Sequence, residues 1–117
     1  MDRKLKLAII SSYEDSSCAN ATYARLLEKV LAAHFDVTVF PLNSDLMKPR
    51  ELISAADKYI EEVCQKLQNF DFVNLHQELG LYGYTADEMI RRIIKLCDAS
   101  SKLIYTMHGL SWYRDIS

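Results

Sequence analysis

Two apolar runs each end in a histidine with glycine close behind. Phe72-Val73-Asn74-Leu75-His76 passes into Gln77-Glu78 and then Gly80 and Gly83, and Tyr105-Thr106-Met107-His108 passes into Gly109. Those three glycines are the only ones in the 117-residue chain. In an open α/β sheet the ligand crevice lies beyond the carboxyl ends of the strands, so an imidazole there, beside a glycine, can reach a ligand. The plainer role for His76 and His108 is a half-buried ring bonded to a backbone carbonyl, and Glu78 has a plain role too, as acceptor of local backbone N–H bonds. A third polar cluster, Ser11-Ser12-Tyr13-Glu14-Asp15-Ser16-Ser17, precedes a helical stretch. Its hydroxyls and the helix N-terminal amides suit a hydroxyl-rich or anionic ligand, although serines before a helix also serve as caps. Tyr82 and Tyr84 can stack on a sugar ring or pack at a rim. His34 stands at a helix C-terminus, where a cation suits the dipole, and is given no function.

The elements that position these residues alternate strand and helix. The first strand is Leu5 to Ser11. The first helix runs from about Cys18 to His34, with Tyr23, Leu26, Leu27, Val30 and Leu31 on one face at helical spacing. The second strand, Asp36 to Phe40, stops at Pro41. The second helix carries the stripe Leu52, Ile53, Ala56, Tyr59, Ile60, Val63, Cys64 and Leu67, with Asp57, Glu61, Glu62 and Lys66 on its solvated face. The third strand is Phe72 to His76. The third helix opens with the capping box Thr85-Ala86-Asp87-Glu88 and presents Met89, Ile90, Ile93, Ile94 and Cys97 for burial. The fourth strand is Lys102 to His108, after which Leu110 to Arg114 read as the start of another helix.

This alternation predicts parallel pairing with right-handed crossovers: a doubly wound α/β sheet in three layers, half of a Rossmann-like domain. The natural order is 3-2-1-4, which places the topological switch between the first and fourth strands. The loop after Ser11 and the His108-Gly109 turn then flank one crevice. The fourth strand is an outer strand without charge from Leu103 to Met107, an edge that recruits a second copy of the chain as a two-fold dimer.

Composition narrows the function classes. Fourteen Lys and Arg against sixteen Asp and Glu give a net charge of −2, which offers nucleic acid no basic stripe. Cys18, Cys64 and Cys97 form no CxxC pair, which argues against a disulfide framework or a zinc site and suits a reducing, cytoplasmic setting. No apolar run approaches membrane-spanning length. Ser/His/Asp sets, a P-loop and GxGxxG are all missing, so a dinucleotide oxidoreductase or a phosphoryl-transfer enzyme has no motif support.

Three segments carry a resemblance. Cys18-Ala19-Asn20-Ala21-Thr22-Tyr23 followed by a helix and Asp36-Val37-Thr38-Val39-Phe40 resembles the opening of retaining GT-B glycosyltransferases of the family 4 type, with Ala19 where those have glycine. Asp71 to Gly83 resembles their DVVHVQHEFGIFG segment, and Ile104 to Gly109 their VVTLHG strand. The resemblance implies two Rossmann-like domains facing a cleft, with residues 1–117 forming the first part of the N-terminal, acceptor-side domain. The nucleotide-sugar diphosphate and Glu-x7-Glu residues belong to a C-terminal donor domain absent from this sequence. It implies a metal-independent sugar transfer from a nucleotide-sugar donor, with the chain inactive by itself. Carried over residue by residue, His108 is the catalytic candidate. Ser12, Tyr13, Ala19, Asn20, His76, Glu78, Gly80 and Gly109 are candidates for substrate binding. A non-catalytic flavodoxin-like binding module is the alternative.

Overall fold

β1 (Leu5–Ser11) is flanked on both sides, pairing in parallel with β2 (Phe35–Pro41) and with β3 (Phe72–Gln77). β4 (Leu103–Met107) pairs in parallel with β3, giving the order β2-β1-β3-β4. The connections are α1 (Ala19–Leu31), a short α2 (Ser44–Met47), a 3-10 turn (Arg50–Leu52), α3 (Ile53–Leu67) and α4 (Ala86–Asp98). This computed structural model describes residues 4–13, 19–77 and 81–107. The fold is α/β with an all-parallel, doubly wound sheet, as the alternation of elements requires.

Strand order is the point of correction. β3 pairs with β1 and not with β2, and β4 pairs with β3 and not with β1, so the expected order 3-2-1-4 becomes 2-1-3-4. The reason lies in β2, whose Asp36 and Thr38 are exposed in alternation with partly buried Val37 and Val39. A strand wet at alternate residues belongs at an edge, whereas β1 and β3 are apolar enough to be covered on both faces. The chain therefore returns past β1 after β2. With right-handed crossovers this puts α1 on one face and α3 and α4 on the other.

The two faces are filled differently. Ala8 and Ile10 of β1 and Val73 and Leu75 of β3 point to one side, where Ala56, Ile60, Val63 and Leu67 of α3 and Leu96 of α4 bury them. Phe40 meets Phe70 edge to face at 5.6 Å on the margin of this core. On the opposite face Leu7 and Ile9 are buried, and α1 packs over β1 and β2 through the small residues Ala21 and Ala24. The expected α1 stripe is corrected accordingly, since Tyr23, Leu26 and Val30 stay 46–59% exposed. Alanine brings the helix backbone close to the sheet, and the larger side chains then project beside the contact. α4 behaves likewise: Leu96 is buried, while Ile90 and Ile94 remain 57% and 53% exposed.

Local signals place α4. Thr85 Oγ1 accepts from the Glu88 amide at 3.2 Å, and Glu88 reaches back to Thr85 Oγ1 and to the Tyr84 amide, forming the capping box expected at that position. Among the described residues no helix is long and apolar enough to cross a membrane.

Candidate functional site

β1 and β3 are neighbours whose chains leave the sheet toward opposite faces, β1 into α1 and β3 into α4. The carboxyl ends of two strands that diverge in this way are the usual ligand position in such sheets. The described residues at that point are Ser11, Ser12 and Tyr13 after β1, and His76 and Gln77 at the end of β3. The strand order puts the topological switch between β1 and β3, and not between β1 and β4 as expected.

His76 is buried, at 1% exposure, and its Nε2 lies 2.7 Å from Asn74 Oδ1. Asn74 Nδ2 donates to Ile104 O and to Thr106 Oγ1, both at 2.9 Å. These two bonds commit the amide nitrogen toward β4 and leave the amide oxygen facing His76. An oxygen can only accept, so His76 Nε2 carries the proton and donates. The Tyr23 ring of α1 sits 5.9 Å from the imidazole, tilted by 47°. Thr106, Asn74 and His76 thus form a hydrogen-bonded row across β4 and β3, on the face that α1 partly covers. A side-chain amide anchors the imidazole at Nε2.

Two buried polar atoms at the same strand ends, Ser11 Oγ and Gln77 Oε1, have no hydrogen-bond partner among the described residues. Leaving such a group unpaired costs about 1–3 kcal/mol. Ser11 is fully buried and shares its sheet face with His76, one residue beyond the paired Ile10 and Leu75. Ser12 is also buried. Tyr13 turns back onto α1 instead: its hydroxyl donates to Glu28 Oε1 at 2.5 Å, and its carbonyl accepts from Arg25, whose guanidinium lies 5.9 Å from the ring centroid. The Glu28 bond, followed by desolvation and the Glu28 charge, raises the phenol above its ordinary value. Tyr13 therefore belongs to the α1 side of these strand ends. Ala19 and Asn20 open α1, which places their backbone in its N-terminal turn. Glu78, Gly80, His108 and Gly109 lie outside the described residues.

The largest fully buried side chain among the described residues is one that the sequence did not single out. Arg92, in α4, is 0% exposed. Its Nε donates to Asp57 Oδ1 at 2.9 Å, and one terminal nitrogen donates to Tyr82 O at 2.9 Å and to Met47 O at 3.4 Å. The other donates to Ile53 O at 3.4 Å, and Glu88 stands 3.8 Å away. One guanidinium thereby ties α4 to α3, to the end of α2 and to the loop that returns from β3. That loop is held a second time by Tyr82, which is buried and donates its hydroxyl to His76 O at 2.5 Å. Tyr82 is accordingly a structural anchor rather than a stacking platform, while Tyr84 is exposed beside Arg50. Gly83 completes the arrangement: a Cβ there would stand 2.9 Å from Glu88 Cβ and 3.1 Å from the Arg92 guanidinium. Spacing gave a usable signal, since Arg92 falls between Met89 and Leu96 on the sheet-facing side of α4.

Asp57, read as solvated from the sequence, is the acidic partner of both Arg92 and Arg91. Burial pushes its carboxyl up, but the hydrogen bonds and charges of Arg92 and Arg91 outweigh this and hold it below the usual aspartate value of 3.8. A carboxyl depressed on folding stabilises the fold above its unfolded pKa, and that contribution is lost as pH falls through the folded pKa. Wild type is therefore expected to exceed Asp57→Asn in stability fully at neutral pH, with the gap closing below about pH 4. Urea unfolding at a series of pH values checks this, and a gap independent of pH would remove Asp57 as the responsible titrating group.

Cys64 and Cys97 are half-buried, and desolvation raises both thiols above their ordinary range, as suits small apolar residues rather than nucleophiles. Among the described residues no three His, Cys, Asp or Glu side chains gather as a metal site. No protein-family model matches the chain, and no curated protein matches it either.

Proposed function

We propose that this chain is the N-terminal, acceptor-side part of a retaining GT-B glycosyltransferase that moves a sugar from a nucleotide-sugar donor to a hydroxyl-bearing acceptor. The observation that carries the reading lies at the carboxyl ends of β1 and β3, where Ser11 Oγ has no hydrogen-bond partner among the described residues and shares its sheet face with the Asn74-bound imidazole of His76. A ligand hydroxyl suits Ser11, because it can accept from the serine on the His76 face, while Gln77 Oε1, next in the strand after His76, belongs to the opposite face of the sheet. The three sequence segments that resemble the family fall on the β1–α1–β2 unit, on β3 with its following loop, and on β4. In this reading His108 is the catalytic residue. Ser12, Tyr13, Ala19, Asn20, His76, Glu78, Gly80 and Gly109 line the acceptor side. A second Rossmann-like domain supplies the donor diphosphate contacts, and the enzyme works in the cytoplasm without metal or cofactor.

A flavodoxin-like binding module is the second reading, favoured by the strand order 2-1-3-4, which is that of flavodoxin-like sheets. Sugar transfer separates the two. Residues 1–117 alone are expected to transfer nothing from a panel of nucleotide sugars, whereas the polypeptide extended by its donor domain transfers sugar from one of them. Transfer by the purified 117-residue chain would overturn the two-domain reading, and an extended polypeptide inert toward the whole panel would favour the binding module.

A further inference from the structure

Beyond Ile10 and Leu75, β1 and β3 no longer pair with each other, although Ser11 still meets Pro41 of β2 and His76 still meets Thr106 of β4. The two strands part at the level of Ser11 and His76. There each main-chain carbonyl accepts from a residue outside the sheet. Ser11 O accepts from the Leu42 amide at 2.9 Å, and His76 O accepts from the Tyr82 hydroxyl at 2.5 Å. Leu42 and Tyr82 both belong to the core on the α3 and α4 side, together with Ile10 and Leu75. The side chains of Ser11 and His76, one residue further along each strand, lie on the opposite face. The strand ends are thus held from one face and present these polar groups on the other.

Tyr82 is itself fixed. Its carbonyl accepts from Arg92 at 2.9 Å, and Arg92 Nε donates to Asp57 of α3 at 2.9 Å. Gly83, the next residue, lies so close to α4 that a Cβ would meet Glu88 Cβ at 2.9 Å. The Tyr82 ring is fully buried and rigid on two rotatable bonds. Its hydroxyl therefore stands at a point set by α3 and α4 rather than by β3.

We propose that Tyr82 is a positioning residue that acts across the sheet: held by Arg92, its hydroxyl fixes the carboxyl end of β3 and so the stance of the His76 imidazole on the α1 side. The imidazole donates from Nε2 to Asn74 Oδ1 at 2.7 Å, a bond that depends on the angle at which the ring leaves the strand. This inference stands apart from the glycosyltransferase reading, because it is read from the imidazole and not from turnover.

Long-range proton–nitrogen NMR of the 117-residue chain, at a pH where His76 is neutral, reads which ring nitrogen carries the proton. Wild type is expected to show the Nε2–H tautomer. Tyr82→Phe keeps the buried ring and removes only the hydroxyl. It is expected to raise the Nδ1–H share about three- to tenfold, the weight of one weakened hydrogen bond. Arg92→Lys, which loses the fork of donors, is expected to shift the share in the same direction and to add nothing further to Tyr82→Phe. Ser100→Ala removes a bond of the same kind, hydroxyl to the Leu96 carbonyl at 2.7 Å, beyond the carboxyl end of α4. It is expected to leave the imidazole unchanged. An unmoved imidazole in Tyr82→Phe overturns the proposal, as does an equal shift in Ser100→Ala, which would mark general loosening. An Arg92→Lys shift that adds in full to that of Tyr82→Phe also overturns it, since Arg92 would then act without Tyr82.

Discussion

Replacing Arg92 with alanine is expected to cost about 3–5 kcal/mol, the range seen when a buried ionic network loses a member. That is a large share of the total stability of a domain this size, about 5–15 kcal/mol. The loss has separable parts. The carbonyls of Tyr82, Met47 and Ile53 lose their shared donor, Asp57 loses its closest cation, and the space of a fully buried side chain is emptied. Arg92→Lys keeps the charge but not the fork of donors, and should recover less than half of the loss. Asp57→Asn should cost less than Arg92→Ala, because the Asp57 side chain is 34% exposed and water can replace part of its environment. Urea denaturation of the three variants measures all of this. If Arg92→Ala loses under about 1 kcal/mol, the guanidinium is not a tie between elements and the β3–α4 loop is held by other means.

The elements were legible because hydrophobic period and capping chemistry act locally. β1, the α3 stripe from Ile53 onward and the Thr85/Glu88 box stand where their residues predict, whereas Leu52, expected in that stripe, lies exposed in the 3-10 turn before the helix. Strand order was less legible, since alternation of strand and helix is the same in 3-2-1-4 and 2-1-3-4. The deciding signal was weak but present in Asp36 and Thr38, which mark β2 as an edge. The exposed stripes of α1 and α4 show another limit. Apolar spacing identifies a face that can be buried, and whether a partner lies opposite it is a property of the sheet.

The candidate site divides in the same way. His76 was legible as a strand-end imidazole, but its partner was not, because Asn74 looks like one polar interruption in an apolar run. Its meaning depends on Thr106 and Ile104, some thirty residues later in sequence and in register only once β4 pairs with β3. Arg92 was hidden for a similar reason. A charged residue in a helix defaults to solvent, and the acceptors that make its burial tolerable come from α2, α3 and the β3–α4 loop. Tyr82 shows the converse, a loop tyrosine whose hydroxyl serves the backbone of His76 and not a ligand.

These contacts make the two histidines experimentally distinguishable. In the extended polypeptide proposed above, His108→Ala is expected to lower kcat about 10²–10³-fold, the cost of losing one hydrogen-bond donor aimed at the reacting centre, with little change in unfolding midpoint. His108 follows Met107, whose partner across the ladder is Gln77, and the proposed function gives it the donor-sugar role through its resemblance to the family's strand-end histidine. His76→Ala should show the opposite balance. Its Nε2 donates to Asn74 Oδ1 inside the fold, so removing the ring orphans that oxygen at about 1–3 kcal/mol before any effect on turnover. Steady-state kinetics and thermal unfolding of both variants in one preparation decide the matter. Near wild-type turnover in His108→Ala would make it a packing residue. A kcat loss confined to His76→Ala, at unchanged stability, would move the reacting group from the end of β4 to the carboxyl ends of β1 and β3.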